Sequence, residues 1–509
     1  MSNDSGPRAT AQSVTEMNRR QVLKAAATTA SGILASSALR SSPGPIAPQP
    51  AIDAYPGRTS YAPGEEVRLH VSSTASEYAL EVARVGAERR TVLEKSKLKG
   101  TFHATPANAS THGCRWPVST SFTIGSDWKS GYYSVKVRAR QAGQLIEGDA
   151  FFVLRAAEPG REAKILLQLS TNTYNAYNDF GGSSLYAGGD LPLQGMRVSF
   201  ERPLSPGFLS RPTDRQLTRW HPYAGWHRWE RPFVRWLEHA GYRVEYAANS
   251  DLEFRPEILT KYRLVLSIGH DEYWSSPMRD HLEKFIGDGG NVAFFSGNVA
   301  YWQVRSEDHG RAFVCYKFQT DRDPYLKSGP HSQLATLWSH RLVGRPENQL
   351  TGVSFCYGGY HRFRSAPAGA GAYTVYRPDH WVFEGTTVQW GDLLGAKDEI
   401  VGYECDGCEL GFEDGQPVPT HRDGTPKTFE VLGACPASLW PGDEQPHTLA
   451  LFGEDSKRSR RRGNAVMGVY TRGGTVFTTG CTEWSRGLEG GDPTVARITR
   501  NVLDRLSTS

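Results

Sequence analysis

Apolar and polar positions alternate in short runs between residues 51 and 157. Examples are Val67-Arg68-Leu69-His70-Val71, Tyr78-Ala79-Leu80-Glu81-Val82 and Tyr132-Tyr133-Ser134-Val135-Lys136-Val137, parted by Gly and Pro turns. A period of two marks strands with one buried face, so this stretch reads as a small β-sandwich of immunoglobulin type. Its pattern holds no titratable cluster, which makes it a structural or docking module. After Gly160 the texture changes. Residues 164–169, 242–247, 262–268 and 291–296 are compact apolar strands, and two helical patterns lie among them. In 231–240, Phe233, Trp236, Leu237 and Ala240 share a face, and Gly241 stands where a glycine ends a helix. Ser275-Ser276-Pro277 opens the second helix, whose apolar face is Met278, Leu282, Phe285 and Ile286.

Strand, helix and strand in succession are the mark of a parallel sheet covered by helices, so residues 160–507 read as an α/β domain. From about 305 to 460 the pattern weakens into loops and antiparallel strands. Aromatic and glycine clusters such as Cys356-Tyr357-Gly358-Gly359-Tyr360 occur there, and the region reads as insertions on that domain. Strands at 465–470 and 474–479, then a helix at 492–506 with Val495, Ile498, Val502 and Leu506 on one side, rejoin the sheet.

Composition narrows the class. The chain has 509 residues, with 58 Lys plus Arg against 54 Asp plus Glu; the net charge of +4 is too small to argue for nucleic acid or a polybasic membrane contact. With 11% aromatic residues it is far from a disordered composition. At the N-terminus, Asn18-Arg19-Arg20-Gln21-Val22-Leu23-Lys24 leads into a weakly apolar run. That run is about 14 residues long, short of the roughly 20 that cross a bilayer. Residues 1–40 therefore read as an export segment of twin-arginine type, residues 41–50 as a linker, and the location as periplasmic or secreted, with no stable membrane span.

The seven cysteines are scattered. Cys405-x-x-Cys408 has metal or redox spacing, yet no second C-x-x-C accompanies it, so a disulfide or two buried thiols is the simpler reading. The basic run at 457–462 reads as a solvated loop.

In doubly wound sheets the site gathers beyond the carboxyl ends of the parallel strands. Three such stretches carry chemistry. One runs from Ser170 through Tyr174 and Tyr177 to Gly182-Ser183-Ser184-Leu185-Tyr186. The second is Gly269-His270-Asp271-Glu272-Tyr273-Trp274, and the third is Gly297-Asn298 with Tyr301-Trp302 beyond. His270-Asp271-Glu272 offers a base, an acid and an oxygen ligand within one turn of chain, although acidic residues also belong at a helix entry on electrostatic grounds. The segment from Trp220 to Trp229 either walls an apolar pocket or packs core and domain contacts.

Together these segments resemble the large subunit of N,N-dimethylformamidase and its relatives, over about residues 160–507 with the sandwich ahead of them. The resemblance implies a glutamine-amidotransferase-like α/β domain. It also implies hydrolysis of an amide at mononuclear iron, Fe3+, held by two tyrosinates and one glutamate. His270-Asp271-Glu272 falls on the family's His-x-Glu, which implies Glu272 as the carboxylate ligand and His270 as an acid/base or neighbouring residue. Asn298 follows a glycine 28 residues after His270, as in the family. Ala176-Tyr177 is similar to the segment of the first tyrosine, and the stretch ending in Tyr186 to that of the second. Gly402-Tyr403-Glu404 resembles the context of a late catalytic glutamate. The loop between the tyrosines is much shorter than in the formamidase, which leaves Tyr174 open in place of Tyr177 and leaves the substrate open.

Hard oxygen donors suit ferric iron, and three of them leave positions for water or an amide oxygen. His270 or Glu404 would take the water proton, and Asn298 would donate to the developing oxyanion. The expectation is an exported metal-dependent hydrolase of a small amide C–N bond. An alternative of another class is a non-catalytic extracytoplasmic protein that binds a sugar or an aromatic ligand. A homo-oligomer and a small partner subunit both remain open.

Overall fold

The computed structural model describes residues 49–186, 194–212, 215–364, 366–454, 456–458 and 461–508. Residues 1–48, expected to hold an export segment and most of a linker, lie outside the described residues.

Residues 51–157 form two sheets. Ile52–Pro56, Glu66–Ser73 and Thr120–Thr123 make one; the other has five strands, with Gly131–Gln141 paired along its length to Gln144–Leu154. Alternate residues such as Val67, Leu69, Leu80, Val82, Val135 and Phe152 bury into one shared core. The outer end of this unit packs on the rest of the chain. Tyr132 stacks on Trp226 with ring centroids 4.0 Å apart, Arg84 pairs with Glu238 at 2.6 Å, and Asp251 accepts from Ser60 at 2.6 Å.

The large sheet has eleven strands. Nine form its main path: β1 Ile165–Leu169, β2 Glu245–Ala248, β3 Leu264–His270, β4 Asn291–Gly297, β5 Ser354–His361, β6 Tyr403–Gly407, β7 Glu430–Ser438, β8 Arg462–Arg472 and β9 Gly474–Thr478. Their order is β2-β1-β3-β4-β9-β8-β7-β5-β6. The pairs from β2 to β9 are parallel, and those from β9 to β6 are antiparallel. Every residue of β1, β3 and β4 is buried, which explains their unbroken apolar runs.

The expected helix-flanked parallel α/β domain of glutamine-amidotransferase type is thus overturned. Strands take 34% of the structure against 22% for helices, in several sheets of mixed direction. The physical reason lies between residues 305 and 460. Those residues supply β5, β6 and β7, which with β8 make the antiparallel half of the same sheet. The cluster Cys356–Tyr360 lies within a strand at the heart of this half. Gly358 is a glycine because a Cβ there would stand 1.9 Å from the Cys405 carbonyl oxygen of β6.

The helices that position the site are short. Thr171–Tyr177 follows β1 directly, Glu230–His239 precedes β2, and Ser276–Gly287 joins β3 to β4 behind a Ser275 cap whose side chain accepts from the Met278 N–H. All seven cysteines are buried free thiols, Cys405 and Cys408 included. No helix among the described residues is long and apolar enough to cross a membrane.

Candidate active site

Beyond the carboxyl ends of β1, β3 and β4 the chain brings Tyr177, Tyr186, His270, Glu272 and Asn298 together, and β6 adds Glu404 from the antiparallel half. Gly269 (φ 76°) lets β3 run against the Trp229 side chain, where a Cβ would come within 2.3 Å. Gly297 is equally tight: a Cβ would lie 2.8 Å from the Glu404 carbonyl oxygen. These two contacts draw His270 and Asn298 up to Glu404.

His270 is buried, and its Nδ1 lies 2.7 Å from the Tyr223 carbonyl oxygen. A carbonyl only accepts, so Nδ1 carries the proton and Nε2 faces the site. Nε2 stands 2.9 Å from Glu404 Oε2, 3.2 Å from Glu272 Oε2 and 3.3 Å from Asn298 Nδ2. Burial works against a charged ring, but Glu404 and Glu272 outweigh it and hold His270 well above its usual range. The close Glu404 oxygen lacks hydrogen-bond alignment, and it and Asn298 Oδ1 are buried polar atoms without a hydrogen-bond partner.

Glu272 is fixed on every side. Its N–H donates to Thr173 at 2.9 Å, and Oε1 accepts from the Trp302 indole at 2.7 Å. The Tyr186 hydroxyl lies 2.9 Å from both Oε1 and Oε2 and itself accepts from Tyr273 at 2.7 Å. Burial alone would raise the Glu272 carboxyl; His270 first, then Lys317 and Tyr186, bring it below the ordinary range. Tyr177 stacks on Tyr186 with centroids 4.1 Å apart and tilts over His270 at 5.7 Å. Burial and the neighbouring Glu272 push both phenols well above 10 in the metal-free chain.

Tyr174, the open alternative, points elsewhere: its hydroxyl donates to the buried Glu230 at 2.5 Å. Asp271 also turns away and accepts from Ser267 at 2.9 Å and Asn249 at 3.3 Å. Asn298 has φ 53°, a left-handed conformation that is stabilised when its N–H and that of Val299 bond the Asp406 carboxylate at 2.9 and 3.1 Å. Asp406 lies two residues after Glu404 and so on the same face of β6; burial pushes it up to about 8.

Both tyrosine segments are tied to one guanidinium. Arg202, buried, donates to the carbonyl oxygens of Phe180, Ser183 and Asn175 and to Ser199. The aromatic segment plays both of the roles its sequence allowed. Trp220 leans on Tyr177 and Tyr186, while Trp226 packs on the N-terminal sheets.

Residues 79–497 match the family described as N,N-dimethylformamidase beta subunit-like, C-terminal. The chain belongs to that family. Relatives of this dimethylformamidase-like chain include the N,N-dimethylformamidase beta subunits of Alcaligenes sp. and Paracoccus aminophilus. Each is 26% identical, over 440 and 438 residues, covering 77% of this chain and 54% of the relative. The chain thus spans about half the length of the curated relatives it matches. A sialyltransferase structure from Photobacterium damsela aligns at 7% identity over 47% of this chain and 35% of that one, with a TM-score of 0.11, and carries no argument.

Reading the sequence missed Lys317. Its Nζ lies 3.1 Å from the Tyr186 ring centroid, and burial lowers it to about 8 against the pull of Glu272. The signal was present: a lone cation in the apolar and aromatic run Ala312-Phe313-Val314-Cys315-Tyr316-Lys317-Phe318.

Proposed function

We propose that this chain is a metal-dependent hydrolase of a small amide C–N bond, with a mononuclear ferric ion held by Tyr177, Tyr186 and Glu272. The observation that carries this reading is the Tyr186 phenol 2.9 Å from both Glu272 oxygens, with Tyr177 stacked on it, in a buried site. The donor chemistry fits. Two phenols and a carboxylate, Tyr177 and Glu272 buried and Tyr186 partly so, need a strong positive charge to ionise together, and hard oxygen donors favour a hard cation. Among the described residues no three His, Cys, Asp or Glu side chains gather to hold a metal, so a cation here would draw on the tyrosines. The Asn298 oxygen without a hydrogen bond and the Glu404 oxygen met only by His270 likewise fit a place for water and substrate.

Ferric iron in that position supplies Lewis acidity, polarising an amide carbonyl and acidifying water. The remaining work falls to the chain. Glu404 Oε2, which has only His270 Nε2 beside it at 2.9 Å, takes the proton from the attacking water as the new C–O bond forms. Asn298 Nδ2 donates to the carbonyl oxygen as it gains charge. His270, its ring fixed by Tyr223, keeps Glu404 and Glu272 apart and hands a proton to the nitrogen as the C–N bond breaks. Acid and amine are the products. Trp220, Tyr223 and Tyr177 wall the site in aromatic carbon, which suits a small amide. Both curated relatives are named as beta subunits, which supports a small partner subunit for this chain, with a homo-oligomer as the other assembly. The arginine pair before a short apolar run supports twin-arginine export and a periplasmic or secreted location.

Mass-spectrometric metal analysis with a visible spectrum tests the site, on protein purified without added metal beside Glu272→Ala. Close to one iron per chain and a tyrosinate-to-iron band, both lost in the variant, are expected. Folded, colourless, metal-free wild-type protein overturns the proposal in favour of a non-catalytic binding protein for sugars or aromatics.

A further inference from the structure

A cavity lies where the N-terminal sheets meet the rest of the chain, with a volume of about 320 Å³, at the lower end of the range for small-molecule sites. None of Tyr177, Tyr186, His270, Glu272, Asn298 and Glu404 lines it. Its walls come from Phe151 of the N-terminal unit and from Tyr174, Phe200 and Phe254 of the rest. Phe254 is 45% exposed, a large apolar surface facing this space.

Arg255 and Arg311 line the same cavity; Arg311 spends its Nε on the Asp308 carbonyl oxygen at 3.1 Å, and neither guanidinium has a carboxylate within hydrogen-bond range. Arg255 reaches Asp251 only at 3.7 Å. Asp251 is already taken: Arg155 pairs with it at 3.1 Å, and Ser60 and the Ala248 N–H donate to it at 2.6 and 2.8 Å. Arg311 approaches Glu201, the one carboxylate in the lining, only at 3.9 Å, beyond hydrogen-bond range. Two guanidiniums with unspent donors therefore face an apolar chamber, an arrangement suited to bidentate carboxylate recognition.

We propose that this cavity binds a small organic carboxylate with an aromatic body, its anionic end taken by Arg255 and Arg311 and its ring laid against Phe254 and Phe200. Tyr174 and Asn175 line the cavity from the helix that carries Tyr177, so an occupant leans on that helix.

Calorimetric titration of the full chain with 3-phenylpropionate tests this. The expected result is saturable one-site binding that persists in Glu272→Ala, which separates it from any binding at the candidate active site. Binding should weaken about tenfold or more in Arg255→Ala/Arg311→Ala and for the uncharged 3-phenylpropanol, roughly the loss of one good ionic contact. Absence of binding to folded wild-type protein overturns the proposal. So does undiminished binding to the double variant or by the alcohol, or loss of binding in Glu272→Ala. Both arginines are substantially exposed, with side chains 39% and 56% accessible; if the double variant melts early, the single Gln substitutions are titrated in its place.

Discussion

The Tyr186 hydroxyl shares one position with both oxygens of Glu272, 2.9 Å from each, and Tyr273 donates to it from behind. A phenol so placed has its oxygen, and not only its ring, aimed at the carboxylate. Tyr186→Phe keeps the stack on Tyr177 and the Lys317 contact with the ring but deletes that oxygen. On the proposed iron site, purified Tyr186→Phe is expected to lose most of the iron and the visible band, and roughly 1–3 kcal/mol of stability because buried Glu272 loses a donor and Tyr273 its acceptor, while remaining folded. Full iron occupancy with an unchanged band would remove Tyr186 from the ligand set.

Tyr174 provides the contrast. Its hydroxyl belongs to Glu230, a carboxyl that burial raises to about 7. Tyr174→Phe should cost roughly 1–3 kcal/mol of stability, the penalty of stripping a buried carboxyl of its donor, and leave the iron content at the wild-type level. Chemical denaturation and metal analysis of the same preparation give both readings.

For Glu404, the expected split is between binding the metal and turning over substrate. Glu404→Gln keeps the side-chain volume but cannot accept a proton. Iron content should be unchanged, and hydrolysis of a formamide substrate should fall by about 10²- to 10⁴-fold, the usual contribution of a positioned general base. A variant of near-normal rate would move the base to His270.

A titrating group outside the proposed ligand set contributes part of the acid–base stability. Glu347 is buried. Ser339 and Ser354 donate to its Oε2, Oε1 has no partner, and burial raises it from 4.5 to about 7, with Arg279 offsetting part of the shift. Below about pH 4.5 the carboxyl is protonated in the folded and unfolded chain alike. As the pH rises to about 7 the unfolded chain gives up its proton first, so stability falls across this window and then levels off. The loss is at most on the order of 3 kcal/mol. Urea denaturation at pH 5 and pH 8 should show Glu347→Gln losing less stability over that interval than wild type; parallel losses would rule out Glu347 as a source.

The sequence announced the parallel half of the large sheet because β1, β3 and β4 are buried on both faces and read as unbroken apolar runs. It announced β8 and β9 as well, but left β5, β6 and β7 as antiparallel strands without bounds for the same reason. β5 and β7 are also largely covered on both faces, so their glycines and aromatics lack the alternation that marks a half-exposed strand. His270, Glu272 and Asn298 were legible because they follow such runs directly. Glu404 became visible only through its likeness to a family motif, since it sits inside a strand and not beyond one. Tyr177 and Tyr174 could not be told apart by spacing; the Glu230 hydroxyl contact separates them. Lys317 stood in plain view as a lone cation among apolar neighbours, but Tyr186, Tyr273 and Glu272, which it faces, all lie more than forty residues away in sequence.

The seven free thiols turn the folded chain into its own gauge of opening. Each is shut away from solvent, spread from Cys114 in the N-terminal part to Cys481 beyond the last strand of the large sheet. A water-borne alkylating reagent therefore finds no target until some part of the molecule comes apart. Which cysteine is tagged first would identify the least secure region, without any engineered probe.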